Sequence, residues 1–444
     1  MKRRGSAGNA AKRVPLRRHL EGARTQNARK TAARTQGARI IPAPTAPALA
    51  IFGAAPAFAE QLHVGRPNIG DRGRFLARLN DILDRRWLTN RGDYVIELER
   101  RIASLIGVRN CILVTNGTIG LELLIRALGL RGEVIVPAFT FVATAHALQW
   151  QEITPVFADI DHETHCLDPR SVEAAITPRT TGIIGVHLWG RPCAVDELAG
   201  VAGRHGLKLM FDAAHAFGCS HGGRMIGSFG EAEVFSFHAT KIVNTFEGGA
   251  IVTDNDELAE KLRLMQNFGF RGYDRVVYLG INGKMSEVSA AMGITNLESL
   301  DEVVARNHAN YRAYARHLAG IAGVKLFPYD DRHRSNYQYV VTVVGEDSPL
   351  ARDELVAVLH AENVMARRYF YPGVHRMEPY RAHFPDAHRL LPRTEQVCRQ
   401  VMVLPTGPSL SGDDVARLCG VISTALECAG TVRKRLARRA NPAP

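Results

Sequence analysis

Asp212 and Lys241 are the side chains of this sequence best suited to chemistry. In Phe211-Asp212-Ala213-Ala214-His215 an apolar run ends on a carboxylate, and in Ser236-Phe237-His238-Ala239-Thr240-Lys241 a second apolar run leads to a lysine. A buried carboxylate keeps a pyridine nitrogen protonated, and a lysine amine condenses with an aldehyde to a Schiff base. Together these are what pyridoxal 5'-phosphate requires of a protein. A lysine after a strand is ordinarily a solvated loop residue, so the pair carries weight only with support from the rest of the chain.

That support stands upstream. Val114-Thr115-Asn116-Gly117-Thr118-Ile119-Gly120-Leu121 reads as a strand, a turn of small residues and the start of an apolar-periodic helix. Free N–H groups and partial positive charge at such a helix start suit a phosphate, although most Asn-Gly-Thr triplets are plain turns and caps. In Val136-Pro137-Ala138-Phe139-Thr140-Phe141-Val142-Ala143-Thr144 a strand ends near aromatic rings. A flat ring there can stack on a pyridine, whereas an isolated phenylalanine is more often core. The order of these weak signals makes them specific.

The elements that must hold these residues alternate along the chain. Asp71 predicts a helix cap, with Phe75, Leu76, Leu79, Ile82 and Leu83 on one face of the helix; a second helix carries Val95, Leu98, Ile102 and Leu105 and stops at Gly107. Apolar runs follow at 112–115, 134–136, 155–158, 182–186, 208–211, 234–237 and 250–253. Runs apolar at every position require a sheet covered on both faces. The expected fold is therefore α/β, a large, mostly parallel doubly wound sheet with its chemistry at the strand ends.

Helices are expected over 285–300 and 301–318. Beyond them, strands at 337–344 and 401–405 and a helix at 352–362 indicate a smaller α+β domain. The expected division is a basic tail over 1–48, a large domain over 49–305, a small domain over 306–428 and a basic C-terminal tail over 429–444. Arg433, Lys434, Arg435, Arg438 and Arg439 would sit on a solvated helix end.

The chain has 444 residues and a formal net charge of +12. Residues 1–40 hold twelve Lys or Arg against the single acid Glu21, which leaves the body near neutrality and argues against a nucleic-acid surface on it. That stretch is too poor in apolar residues to fold and is expected to be disordered. Contact with nucleic acid or acidic lipid, and translation through a misplaced start codon, are the readings open for it. Residues 40–59 carry no charge and end in Ala57-Phe58-Ala59, imitating a secretory signal. Pro42, Pro44, Pro47 and Pro56 interrupt any continuous helix there, and nothing else approaches a membrane span. Seven scattered cysteines without a Cys-x-x-Cys pair suggest reduced thiols in a cytoplasmic protein, with neither a disulfide framework nor a metal site.

Over about residues 50–425 the chain resembles the DegT/DnrJ/EryC1/StrS family of pyridoxal phosphate enzymes that aminate nucleotide-linked keto sugars. The carriers are Thr115 through Thr118, Pro137 through Thr144, Val156 through Asp161, Val186-His187-Leu188-Trp189-Gly190, Asp212 through His215, Ser236 through Lys241, Glu247-Gly248-Gly249 and Asn282 through Glu287. Within the family the likeness is greatest to sugar 4-aminotransferases acting on dTDP-4-keto-6-deoxyglucose, carried by Trp189 through Cys193 and Tyr369 through Gly373.

The resemblance implies the aspartate-aminotransferase fold (fold type I) and a homodimer with active sites at the subunit boundary. It implies that Lys241 is the Schiff-base lysine, that Asp212 pairs with the pyridinium, and that His215 lies against the ring or its hydroxyl with Phe141 on the opposite face. Gly117, Thr118 and Ser236 would hold the phosphate, and Asn282 would reach that phosphate from the neighbouring subunit. His238 would lie near the site, in a structural or a chemical role. L-glutamate is the expected donor, and C4 of a nucleotide-linked 6-deoxy sugar ketone the expected acceptor. Arg367 or Arg368 are candidates for the donor's carboxylates, against an ordinary surface role. Family members that dehydrate sugars carry histidine in place of the lysine, so Lys241 argues against dehydration. The intact lysine, aspartate and phosphate turn argue against a non-catalytic cofactor-binding regulator.

Overall fold

The computed structural model describes residues 48–440, so the expected disordered tail lies almost wholly outside the described residues. Seven strands form the main sheet: β1 (Asn110–Val114), β2 (Glu133–Pro137), β3 (Thr154–Ala158), β4 (Thr180–Val186), β5 (Lys208–Asp212), β6 (Glu233–Ser236) and β7 (Gly249–Thr253). Their order is β1-β7-β6-β5-β4-β2-β3. β7 runs antiparallel to β1 and β6, and the other pairings are parallel.

Each apolar run became a strand because the sheet is covered on both faces. In β2, Ile135 packs with Phe139, Ile183 and Phe211, whereas Val134 and Val136 pack with Leu121, Leu124 and Met210 in a separate core. Side chains alternate across a strand, so neighbouring positions need separate apolar environments and both are filled.

Asp71 caps helix α1 (Arg72–Arg85) by accepting the Arg74 N–H at 2.8 Å. The apolar face of α1 is only partly covered, with Ile82 buried but Leu76 and Leu83 exposed. Helix α2 (Asp93–Ile106) stops at Gly107, whose φ of 83° suits a residue without Cβ. Helix α3 (Gly117–Leu128) follows β1 and α4 (Ala143–Gln149) follows β2.

The C-terminal part has its own antiparallel sheet of β8 (Val324–Leu326), β9 (Val340–Val344) and β10 (Val401–Leu404). Three expectations need correction here. The strand expected from residue 337 begins at Val340, because Tyr337 takes a left-handed backbone with φ of 51°. Residues 49–63, expected in the large domain, pack with the C-terminal part instead. Leu49, Ile51 and Phe58 join its core, Leu62–His63 pairs with Val364–Met365, and the Glu362 carboxylate accepts the N–H groups of Ala50 and Ala57 at 2.6 and 2.7 Å. The closing basic stretch is a helix, Ala429–Ala440, that buries Val432 in that same core while Arg433, Lys434 and Arg438 stay exposed. Among the described residues no single helix is long and apolar enough to cross a membrane.

Candidate active site

The C-terminal ends of β1, β2, β5 and β6 converge on a cleft of about 580 Å3. Gly117, Thr118, Phe141, Asp212, His215, Ser236, His238 and Lys241 all line it. Parallel strands deliver residues to one edge, which is why motifs far apart in sequence meet there.

At one end lies a cradle of small residues. Asn116 caps α3 through its side-chain oxygen, which accepts the Ile119 N–H at 2.9 Å. A helix leaves its first N–H groups without intrahelical acceptors, so those of Gly117 and Thr118 remain for a ligand oxygen. A Cβ on Gly117 would come within 3.2 Å of the Ser236 Cβ. A Cβ on Gly249 would meet the Gly117 nitrogen and the Asn116 carbonyl carbon at 2.8 Å. The cradle exists because these positions have no side chain.

Asp212 ends β5 and is buried. Burial raises its carboxyl above the usual range. The Ala214 N–H at 3.1 Å, the Thr144 hydroxyl at 2.8 Å and the charge of Lys241 work in the opposite direction. Thr144 Oγ1 also lies 3.0 Å from Thr140 Oγ1. Because Thr144 donates its proton to Asp212, Thr140 donates to Thr144. Lys241 is half-buried, and loss of water brings its amine down to about 8, with the Asp212 charge opposing that fall. Its Nζ donates to the Tyr339 hydroxyl at 3.4 Å.

His215 forms part of the cleft wall. Its Nδ1 accepts the Trp189 backbone N–H at 3.4 Å, so the ring proton belongs on Nε2. Burial first, then the Lys241 charge, hold this imidazole well below its ordinary range, and it is neutral. Trp189 stacks on Phe370 at 5.4 Å and lies near-parallel to His215 at 5.8 Å. Trp189 adopts φ of 61°, a left-handed backbone costly for a bulky residue. Its carbonyl accepts the Tyr329 hydroxyl at 3.0 Å and its Nε1 donates to His165 at 3.3 Å, so the surroundings enforce the conformation.

Asn282, Arg367 and Arg368 lie outside this cleft. The exposed Asn282 accepts Lys284 Nζ on its Oδ1 at 2.7 Å. Arg367 lies over the Tyr369 ring, and Arg368 pairs with Asp353 at 3.2 Å and lies over Tyr371. Neither lines the cleft. His238 Nδ1 lies 3.0 Å from Thr240 Oγ1, and its Nε2 is 3.7 Å from Glu247. The roles of Thr144, Tyr339 and Phe370 were not foreseen. Thr144 ends the stretch from Val136, but nothing local marks it as the partner of Asp212.

Residues 71–423 match the DegT/DnrJ/EryC1/StrS aminotransferase family. The chain belongs to that family. It is an aminotransferase, and its sheet and helices are those of fold type I. It is 38% identical over 356 residues to dTDP-4-amino-4,6-dideoxy-D-glucose transaminase of Shigella dysenteriae, covering 80% of this chain and 96% of that one. The enzyme of the same name from Escherichia coli is 34% identical over 360 residues, covering 81% and 97%. The crystal structure of DesI in the presence of its TDP-sugar product superposes with a TM-score of 0.84 at 49% identity, covering 89% of this chain and all of that one.

Proposed function

We propose that this DegT/DnrJ/EryC1/StrS aminotransferase moves the amino group of L-glutamate to C4 of dTDP-4-keto-6-deoxyglucose, using pyridoxal 5'-phosphate, as a cytoplasmic homodimer. The observation that carries the reading is one cleft holding a buried carboxylate, a lysine amine brought down to about 8 and a small-residue anion cradle. The names of the relatives support the sugar and the carbon. Unpaired cysteines support a reducing compartment. The exposed Leu76, Leu83, Trp87, Leu88 and Phe268 support burial against a second copy.

The residues fit the cofactor. A Cβ would crowd the cradle at Gly117, so that position is kept open for phosphate oxygens, which the N–H groups of Gly117 and Thr118 and the Ser236 hydroxyl would hold. Asp212 would face the pyridine nitrogen, His215 one side of the ring or its hydroxyl, and Phe141 the other side. Asn282 would serve the phosphate in the partner's site. When bound, pyridoxal phosphate supplies the aldehyde that carries the amino group and the electron sink for loss of a proton from carbon.

The chain's own groups do the rest. Lys241 would anchor the cofactor and, once released by the substrate amine, would serve as a free base. With an amine near 8, a useful share is neutral at working pH and can take the donor's α-proton, then return a proton at sugar C4. Neutral His215 adds no positive charge to the site. Asp212 would supply the negative charge that the ring nitrogen needs, and the hydrogen bonds from Thr144 and Ala214 favour its charged form against burial.

The test is incubation of purified protein with L-glutamate and dTDP-, UDP- and GDP-linked keto sugars, followed by mass analysis. Formation of a 4-amino dTDP sugar is the expected result. No amination of any sugar, or dehydration in its place, would refute the reading.

A further inference from the structure

Three residues of the C-terminal part converge on the lysine. Asn336, fully buried, donates to the carbonyls of His215 and Phe217 at 2.9 and 3.0 Å, and its side-chain oxygen accepts the Gln338 N–H at 3.0 Å. Gln338 donates from its side chain to the carbonyl of Thr240 at 2.9 Å. Tyr339 then extends its hydroxyl to Lys241 Nζ at 3.4 Å. Between Asn336 and Gln338, Tyr337 takes a left-handed backbone with φ of 51°. Tyr339 is itself fixed, its ring 4.4 Å from His215 and 5.4 Å from Trp189, and its carbonyl accepting the Tyr329 hydroxyl at 2.8 Å. One buried amide, one half-buried amide and two aromatic contacts therefore aim one oxygen at one nitrogen.

We propose that Tyr339 is a catalytic residue, whose hydroxyl oxygen holds one N–H of the freed Lys241 amine and so directs its lone pair into the cleft. A free lysine amine on four rotatable carbons points nowhere in particular, and holding one N–H removes that freedom. When the α-proton leaves the donor's carbon, the bonding pair stays behind and the proton joins Nζ. The new ammonium then donates to Tyr339, which stabilises the charge as it forms. The reverse transfer returns that proton to carbon, and Tyr339 keeps its own proton throughout. Burial supports this by raising the phenol well above its usual range.

This inference rests on the aminotransferase reading, and the experiment separates the two. Tyr339→Phe removes one oxygen and keeps the ring contacts. In the half-reaction with L-glutamate, its rate should fall roughly ten- to hundredfold. The isotope effect with 2-deuterated glutamate should rise above that of wild type, because proton transfer becomes the slow step. KM and the affinity for pyridoxal phosphate should change less than about threefold. An unchanged rate and isotope effect would overturn the proposal. So would a loss confined to KM or cofactor retention, or a variant that unfolds, since each makes the hydroxyl a structural support. Wild-type protein that takes no amino group from glutamate would strike the reading beneath it.

Discussion

Thr144 donates its hydroxyl hydrogen to Asp212 Oδ2 at 2.8 Å, with Thr144 fully buried and Thr140 behind it. The bond opposes the burial that raises the Asp212 carboxyl. In Thr144→Val the carboxyl should rise further and spend more time neutral, weakening its hold on a pyridinium. One hydrogen bond to a charged group is worth about 1.5–3 kcal/mol, so affinity for pyridoxal phosphate should fall roughly ten- to hundredfold. Titration of the apoprotein with cofactor measures this, and an unchanged dissociation constant would refute it.

The Lys241 amine near 8 gives a pH dependence with a definite sign. Only the neutral amine attacks an aldehyde, so capture of added pyridoxal phosphate by apoprotein should quicken as pH rises through about 8 and level off above it. Asp212 raises that amine, so Asp212→Asn should move the midpoint to lower pH. Stopped-flow capture rates at several pH values check both. A midpoint that moves upward would contradict the electrostatics.

The cradle can be tested without touching a polar group. Gly249→Ala places a methyl 2.8 Å from the backbone of Asn116 and Gly117 and the Phe235 carbonyl, contacts no side-chain rotation can relieve. Cofactor affinity should drop roughly five- to hundredfold, since overpacking a close-packed site costs about 1–3 kcal/mol. Gly203→Ala, where a Cβ meets nothing within 4 Å, should leave affinity at the wild-type value.

His187 and Glu233 form a fully buried pair, with Nε2 and Oε2 3.1 Å apart. The other carboxylate oxygen accepts the N–H groups of Gly227 and Phe229 at 2.7 and 2.8 Å, and His187 Nδ1 accepts that of Cys193 at 3.0 Å. Glu233→Ala leaves the N–H groups of Gly227 and Phe229 without an acceptor. Loss of about 1–3 kcal/mol for each is expected, read as a lower thermal unfolding midpoint. A midpoint equal to that of wild type would refute it.

Much of this arrangement was legible in the sequence because it is local. β2 reads as a strand since all its neighbours are covered, and Asp212 and Lys241 stand out because each closes an apolar run. Tyr339 was not legible, since its partner is 98 residues away and its own surroundings read as strand. Two tyrosines and four valines favour a strand, yet the side chains of Asn336 and Gln338 bind the cleft wall and hold Tyr337 out of the ladder. Thr144 meets Asp212 across 68 residues, and no spacing rule announces such a contact. Residues 49–63 joined the C-terminal core because Glu362 supplies acceptors for their N–H groups, a dependence invisible from the segment alone.

The most direct measurement is chemical. Protein incubated with pyridoxal 5'-phosphate should be reduced with borohydride, digested and analysed by mass spectrometry. The account predicts one modified peptide, with the phosphopyridoxyl group on Lys241 and no such adduct in Lys241→Ala. Label on another lysine, or no label on the wild-type protein, would contradict it.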